Sequence, residues 1–153
     1  MRVAFGCDHA GVVLREPIAQ ALAELQVEVE DFGTFEGAPV DYCLYAEPVA
    51  RAVASGEAEL GILACGTGVG MAIAANKVPG AYAAHASDPY TARMAREHNG
   101  ANILALGGRV VGAGLAQDIV RAFVTAQPST DERHARRRRQ FRELERRALQ
   151  GGR

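Results

Sequence analysis

The 153-residue chain has no tryptophan, one lysine (Lys77) and only 6% aromatic residues. No apolar run approaches the roughly 20 residues that a membrane-spanning helix needs, so a helical membrane protein is excluded. An excess of one charge is also missing. Seventeen Lys+Arg against 18 Asp+Glu leave a formal net charge of -1, and no overall field favours nucleic acid or anionic lipid. Cysteine is scarce and odd in number: Cys7, Cys43 and Cys65 have no metal-type spacing. Free thiols in a reducing cytoplasm are expected, with neither a disulfide framework nor a metal site. No secretory leader is legible, because Met1-Arg2-Val3-Ala4-Phe5 enters a strand-like run directly. Internal repeats and low-complexity tracts are absent. What is present is ordinary: 48% hydrophobic and 23% charged residues, with enough length for one full core. A single domain over residues 1–150 is expected, with Gly151-Gly152-Arg153 as a frayed end.

The apolar pattern switches between two periods. Short runs at 2–5, 26–32, 60–64, 82–85 and 103–106 read as strands, the second of them alternating with one wet face. Helical spacing covers 11–25, 45–55, 69–76, 87–97 and 115–125, followed by a charged helix over 131–149 with Phe141, Leu144 and Leu149 as its apolar positions. Ser87-Asp88-Pro89 is a cap followed by proline, and Gly56 is a helix stop. Pro17 is an objection to the first helix, since proline removes a backbone donor. Pro48 lies near the start of the second. Strands alternating with helices imply an α/β chain whose parallel sheet is covered on both faces. In such sheets ligands sit beyond the carboxyl ends of the strands.

The stretch with most chemistry is Cys65-Gly66-Thr67-Gly68-Val69-Gly70, set between an apolar run and a helical one. It is not a Walker A loop, because no Gly-Lys-Ser/Thr follows, and Met71 stands where the dinucleotide fingerprint needs glycine. Alone, such a loop is equally a tight turn between a strand and a helix. Its backbone N–H groups can nevertheless face an anion, and a cysteine at its head sits where a thiolate is favoured.

Other reactive side chains follow the remaining strands: Cys7, Asp8 and His9 after the first, His85, Ser87 and Asp88 after the fourth, Arg109 after the fifth. Each has a plainer reading. Cys7 alternates with Phe5 and reads as packed. Asp8 is equally a turn or cap residue, His98 a favourable charge at a helix end, and Tyr42 a packing residue. The arginine run from Arg136 to Arg139 reads as a solvated helix face, and the interleaved Glu143 and Glu145 argue against a nucleic-acid tail. Arg133 and Arg137, one helical turn apart, could clamp a phosphate. His98-Asn99 closes a helix on the rim opposite Cys65, so it can join that site only across a dimer interface.

Taken together, Phe5-Gly6-Cys7-Asp8-His9-Ala10-Gly11, Asp41-Tyr42, the Cys65–Gly70 loop with Ala74-Ala75-Asn76-Lys77, His98-Asn99, Gly107-Gly108-Arg109-Val110-Val111-Gly112 and Arg133-His134 resemble the sugar-phosphate isomerases of the ribose-5-phosphate isomerase B type, a group that includes the galactose-6-phosphate isomerase subunits. The resemblance spans essentially the whole chain. It implies a Rossmann-like three-layer αβα sandwich on a five-stranded parallel sheet, with the C-terminal helix extending to a partner subunit. It implies a homodimer or a dimer of dimers with active sites shared between subunits, and neither metal nor organic cofactor. The implied reaction is aldose–ketose isomerisation of a sugar phosphate through a cis-enediolate, with ribose 5-phosphate as first choice and a hexose 6-phosphate or tetrose 4-phosphate as alternatives. Carried over by motif position, Cys65 moves the proton between C1 and C2, Asp8 relays protons between the oxygens, and His98 opens the sugar ring. Thr67 and the backbone of Gly66, Gly68, Val69 and Gly70 hold the enediolate. His9, Arg109, Arg133 and Arg137 hold the phosphate, with Tyr42 and Asn99 lining the substrate. Cys43, where proline is common in relatives, and Gly100-Ala101-Asn102 depart from the pattern. A non-catalytic binder of sugar phosphates needs only the cationic groups and does not explain Asp8, Cys65, Thr67 and His98 occurring together.

Overall fold

The structure is a computed structural model that describes residues 1–151; Gly152 and Arg153, part of the expected frayed end, lie outside the described residues. Five strands, β1 (Arg2–Cys7), β2 (Glu28–Asp31), β3 (Leu60–Cys65), β4 (Ala83–His85) and β5 (Ile103–Gly107), form one parallel sheet in the order β2-β1-β3-β5-β4. The helices are α1 (Arg15–Glu24), α2 (Cys43–Ser55), α3 (Val69–Ala75), α4 (Pro89–Glu97), α5 (Ala113–Thr125) and α6 (Glu132–Leu149). The result is the αβα sandwich expected.

The period-two pattern explains how the sheet buries both faces. In β3, Leu60, Ile62 and Ala64 pack with Ile18 and Leu22 of α1 and with Ile119 and Phe123 of α5. Leu63 and Cys65 point the other way, into the layer of Val49, Val53 and Met71 from α2 and α3. Each fully buried leucine, isoleucine or phenylalanine contributes about 1.5–3 kcal/mol, so the central strands fix the frame. Strand order then places the site. β1 and β3 are neighbours, with Cys7 paired to Ala64, while α1 and α3 leave them toward opposite faces. A crevice opens between their carboxyl ends.

Four elements depart from expectation, α5 simply by beginning at Ala113, two residues before the expected start. A 3-10 turn, Val12–Leu14, precedes α1, so the first helix is shorter at its start. Pro17 is then the third residue of α1, where its missing N–H would have no helical partner anyway, and the objection to it falls away. Helix α2 begins at Cys43, two residues earlier than expected, which leaves Pro48 inside it. The carbonyl of Leu44 loses a helical donor there, but Leu44 is 67% exposed and water can serve instead. Strand β2 is short and lies at the sheet edge, and Val29 remains 41% exposed. The one-sided burial read from its alternation is therefore only partial.

Candidate active site

Cys65 closes β3 and is buried. Beyond it the chain turns at Gly68, whose φ of +83° is left-handed and where a Cβ would stand 2.9 Å from the Leu106 carbonyl carbon. Glycine is required there. The turn brings the Gly68 N–H to Cys65 Sγ, donating at 3.1 Å, and the Val69 N–H to Thr67 Oγ1 at 3.3 Å. The N–H groups of Gly66 and Thr67 have no acceptor among the described residues, and the first turn of α3 adds free amides of its own. A sulfur and a set of unengaged N–H donors thus occupy one loop.

Asp8 follows β1 and is 4% exposed. Its N–H donates to the Ala64 carbonyl at 3.1 Å, which ties it to the end of β3. Its Oδ1 accepts from the N–H groups of Ala10 and Gly11, both at 2.9 Å. The turn reading of Asp8 therefore holds for one carboxylate oxygen. No described residue donates to Oδ2. The turn can sit this close because Gly11 has no side chain: a Cβ there would lie 2.1 Å from the Ala64 carbonyl oxygen.

Asp8, His9, Ala10, Tyr42, Cys65, Gly66, Thr67, Gly70 and Arg109 line one pocket of about 210 Å³. His9 accepts the Val40 N–H at Nδ1, 3.2 Å away, so its neutral ring carries the proton on Nε2 and offers a donor. The Arg109 guanidinium lies over Gly66, within 3.4 Å of where a Cβ would be. The Tyr42 ring covers Gly70, 2.9 Å from its Cβ position. Cys7 is the packed residue expected. It is fully buried, its Sγ lies 3.4 Å from the Thr34 carbonyl oxygen, and burial pushes its thiol pKa up. A larger cleft of about 670 Å³ lies against α6 and includes Arg96, Arg138, Arg139 and Arg142. It carries cations but neither thiol nor carboxylate, so the smaller pocket is where proton chemistry can occur.

His98, Asn99, Arg133 and Arg137 do not line the Cys65 pocket. His98 caps the end of α4, just before β5, whose first residue pairs with Gly61 and Ala83 near the starts of β3 and β4. That is the opposite rim, as the topology requires. There His98 stacks on His134, with ring centroids 4.0 Å apart and planes 5° from parallel. Arg138 donates to the carbonyls of Glu97 and Ser129 at 3.3 and 2.7 Å, and Arg139 pairs with Glu132. These two arginines are committed within the chain. Arg133 and Arg137 are exposed, and the ion pair of Arg133 with Asp131 is loose at 3.7 Å. Arg136 and Arg142 are exposed as well and pair with no described residue, so four tail arginines stand open to solvent.

Sequence reasoning gave no role to His134, Val40 or Ala10. Val40 and Ala10 act through backbone N–H groups, which no residue type announces. His134 is buried beneath His98, and its Nε2 accepts from Arg133 Nε at 3.2 Å. Burial, then the neighbouring His98, Arg133 and Arg137, hold its pKa below the ordinary value, against a smaller opposite effect of Asp131. An unfolded histidine titrates near pH 6.5. The contribution of a neutral His134 is therefore full above about pH 6.5 and is lost as the pH falls from there toward the lower folded value. Urea midpoints are expected to drop between about pH 7 and pH 5.5 in the wild type and to drop less in His134→Gln. Parallel profiles for the two proteins would remove this role.

The chain is similar to known proteins in both sequence and fold. A family model described as Ribose/Galactose Isomerase matches residues 3–141. The chain is 52% identical over 126 residues to ribose-5-phosphate isomerase B of Escherichia coli strain K12, covering 82% of this chain and 85% of that one. It is 40% identical over 130 residues to D-erythrulose-4-phosphate isomerase of Pectobacterium atrosepticum, covering 83% and 84%. The solved structure of Clostridium thermocellum ribose-5-phosphate isomerase B superposes with a TM-score of 0.92 at 49% identity, covering 97% of this chain and 99% of that one.

Proposed function

Since the chain belongs to the ribose/galactose isomerase family, and is an aldose–ketose isomerase on that ground, we propose that it interconverts ribose 5-phosphate and ribulose 5-phosphate through a cis-enediolate. The observation that carries this reading is the meeting of Cys65 Sγ, the free loop amides and the unengaged oxygen of Asp8 in one pocket. The names of the Escherichia coli and Clostridium thermocellum relatives support the choice of sugar.

In this mechanism Cys65 takes the proton from C2 of the open-chain aldose. The electrons of that C–H bond form the C1–C2 double bond, and the former carbonyl oxygen becomes the enediolate oxygen. Thr67 and the unengaged loop amides, those of Gly66 and Thr67 with the first turn of α3, stabilise that charge, where loss of one such donor costs on the order of 3 kcal/mol of barrier. Asp8 moves a proton between O2 and O1, and Cys65 returns its proton to C1. His9 and Arg109 grip the phosphate, whose remote binding energy orients the reacting carbons.

His98, Asn99, Arg133 and Arg137 reach this pocket from a second copy of the chain, so the working form is a homodimer, alone or paired into a tetramer. Two observations support that reading. Beyond its first turns α6 is tied to its own body chiefly by Glu145, which accepts from Tyr82 and from the Gly80 N–H, while Phe141, Leu144 and Leu149 are exposed at 41%, 56% and 65%. Arg133 also donates to His134, on which His98 stacks, so the ring-opening histidine and one of the clamp arginines stand together on a rim away from the Cys65 pocket.

Arg137→Ala is expected to raise KM for ribose 5-phosphate by roughly tenfold or more while kcat changes by less than about twofold, as for a group that binds ground and transition states alike. Steady-state kinetics check this, and an unchanged KM counts against the clamp. The Pectobacterium relative supports a second reading, in which the preferred sugar is a tetrose 4-phosphate. Ratios of kcat/KM across ribose 5-phosphate, erythrose 4-phosphate, allose 6-phosphate and galactose 6-phosphate decide between them.

A further inference from the structure

The loop between β2 and α2 bounds the pocket and is held at two points. Its far end meets the site where the Val40 N–H donates to His9 Nδ1. Its near end is gripped by Arg15, the first residue of α1. The Arg15 guanidinium pairs with Asp31 through both terminal nitrogens, while its Nε donates to the Thr34 carbonyl at 3.1 Å. The Phe35 ring lies over the same guanidinium, 3.6 Å from ring centroid to Cζ. Phe35 is 74% exposed, so this cation–π contact is what keeps an apolar ring folded against the body instead of in water. Beneath, Gly33 is pressed between Cys7 and Arg15, where a Cβ would come within 2.9 Å of each side chain. The Gly33 N–H donates to Asp31 Oδ1 at 2.9 Å, and the Thr34 N–H to the Cys7 carbonyl at 3.0 Å.

We infer that Arg15 is a positioning residue for His9. A planar fork that engages Asp31, the Thr34 carbonyl and the Phe35 face at once fixes where the loop leaves the sheet edge. Fixing that departure sets where Val40 arrives, six residues beyond Thr34. With Val40 in place, His9 is held in one orientation and one tautomer, with Nε2–H turned to donate. Without the clamp the loop start keeps only the contacts of Gly33 and Thr34 with Asp31 and Cys7, nothing holds Phe35 against the body, and His9 samples both tautomers. The consequence for substrate rests on the reading that His9 grips the phosphate; the consequence for the His9 ring does not.

The test uses the full-length protein with ¹⁵N-labelled histidine. Ring nitrogen shifts of His9, assigned by its loss in His9→Gln, are expected to report a single Nε2–H tautomer in the wild type and a mixture in Arg15→Ala. KM for ribose 5-phosphate is expected to rise by roughly tenfold in Arg15→Ala, with kcat within about twofold. Arg15→Lys, which keeps the charge and loses the fork, falls between. Phe35→Leu removes the aromatic face at an exposed position, so it folds even if Arg15→Ala does not, and it moves both readouts in the same direction by less. An unchanged His9 tautomer in Arg15→Ala and Phe35→Leu overturns the clamp whatever KM does. A changed tautomer with unchanged KM upholds the clamp and overturns instead the assignment of His9 to the phosphate.

Discussion

Cys65→Ala is expected to fold normally and to lose turnover by about 10³-fold or more, the upper part of the range for a single group that transfers the reacting proton. The fold should survive because the change removes one sulfur atom from a residue that is 4% exposed. It also breaks the hydrogen bond from the Gly68 N–H to Sγ at 3.1 Å, worth about 1 kcal/mol. Cys65→Ser separates packing from chemistry, because the hydroxyl can still accept from Gly68 but is far too weak a base. Both variants should show melting transitions within a few degrees of wild type and still bind the sugar phosphate, since the cationic groups are untouched. Substantial turnover in Cys65→Ala would move the base to Asp8, whose free oxygen faces the same pocket.

Mixing two inactive variants should restore activity. If each site joins Cys65 of one copy to His98 of the other, Cys65→Ala and His98→Asn homodimers each carry two broken sites. A mixed dimer carries one site with both changes and one with neither. Random reassortment makes half the dimers mixed, so about a quarter of wild-type activity is expected after co-refolding at equal amounts. If Cys65 and His98 served the same copy, no site in any dimer would be intact and activity would stay at the level of the parents. The geometry favours the first outcome, since His98 stands at the rim where β5 begins and Cys65 at the rim where β3 ends. The size of the effect, from near zero to about a quarter, makes the assay decisive even with impure reassortment.

Much of the site was legible because its residues follow strands. Strand ends are marked by the change from an apolar run to glycine and polar residues, so Asp8, Cys65 and Arg109 could be placed on one rim from the sequence alone. The opposite location of His98 followed from the same counting. The less legible parts depend on interactions between distant segments. The alternation of β2 could not say that this strand would be an edge, because edge status depends on strand order. Pro48 lies near the expected start of α2 but inside the helix that forms, and only the exposure of Leu44 shows why the helix tolerates it. Val40 reaches His9 through a backbone N–H, and Arg15 grips a loop sixteen and more residues away, with no local pattern to announce either. The division of the tail arginines is similar. One face of a helix was readable, but the commitment of Arg138 to Glu97 and Ser129 depends on how α6 docks.

The most direct test is turnover of ribose 5-phosphate by chelator-treated wild-type protein in deuterated water, with the products followed by NMR and binding measured on the same sample. Ribulose 5-phosphate should form, and solvent deuterium should enter the carbon that receives the proton, because a proton resting on the Cys65 sulfur can exchange before it is returned. Binding of all the candidate sugar phosphates without conversion of any would contradict the account and leave a protein that holds its ligand and does no chemistry on it.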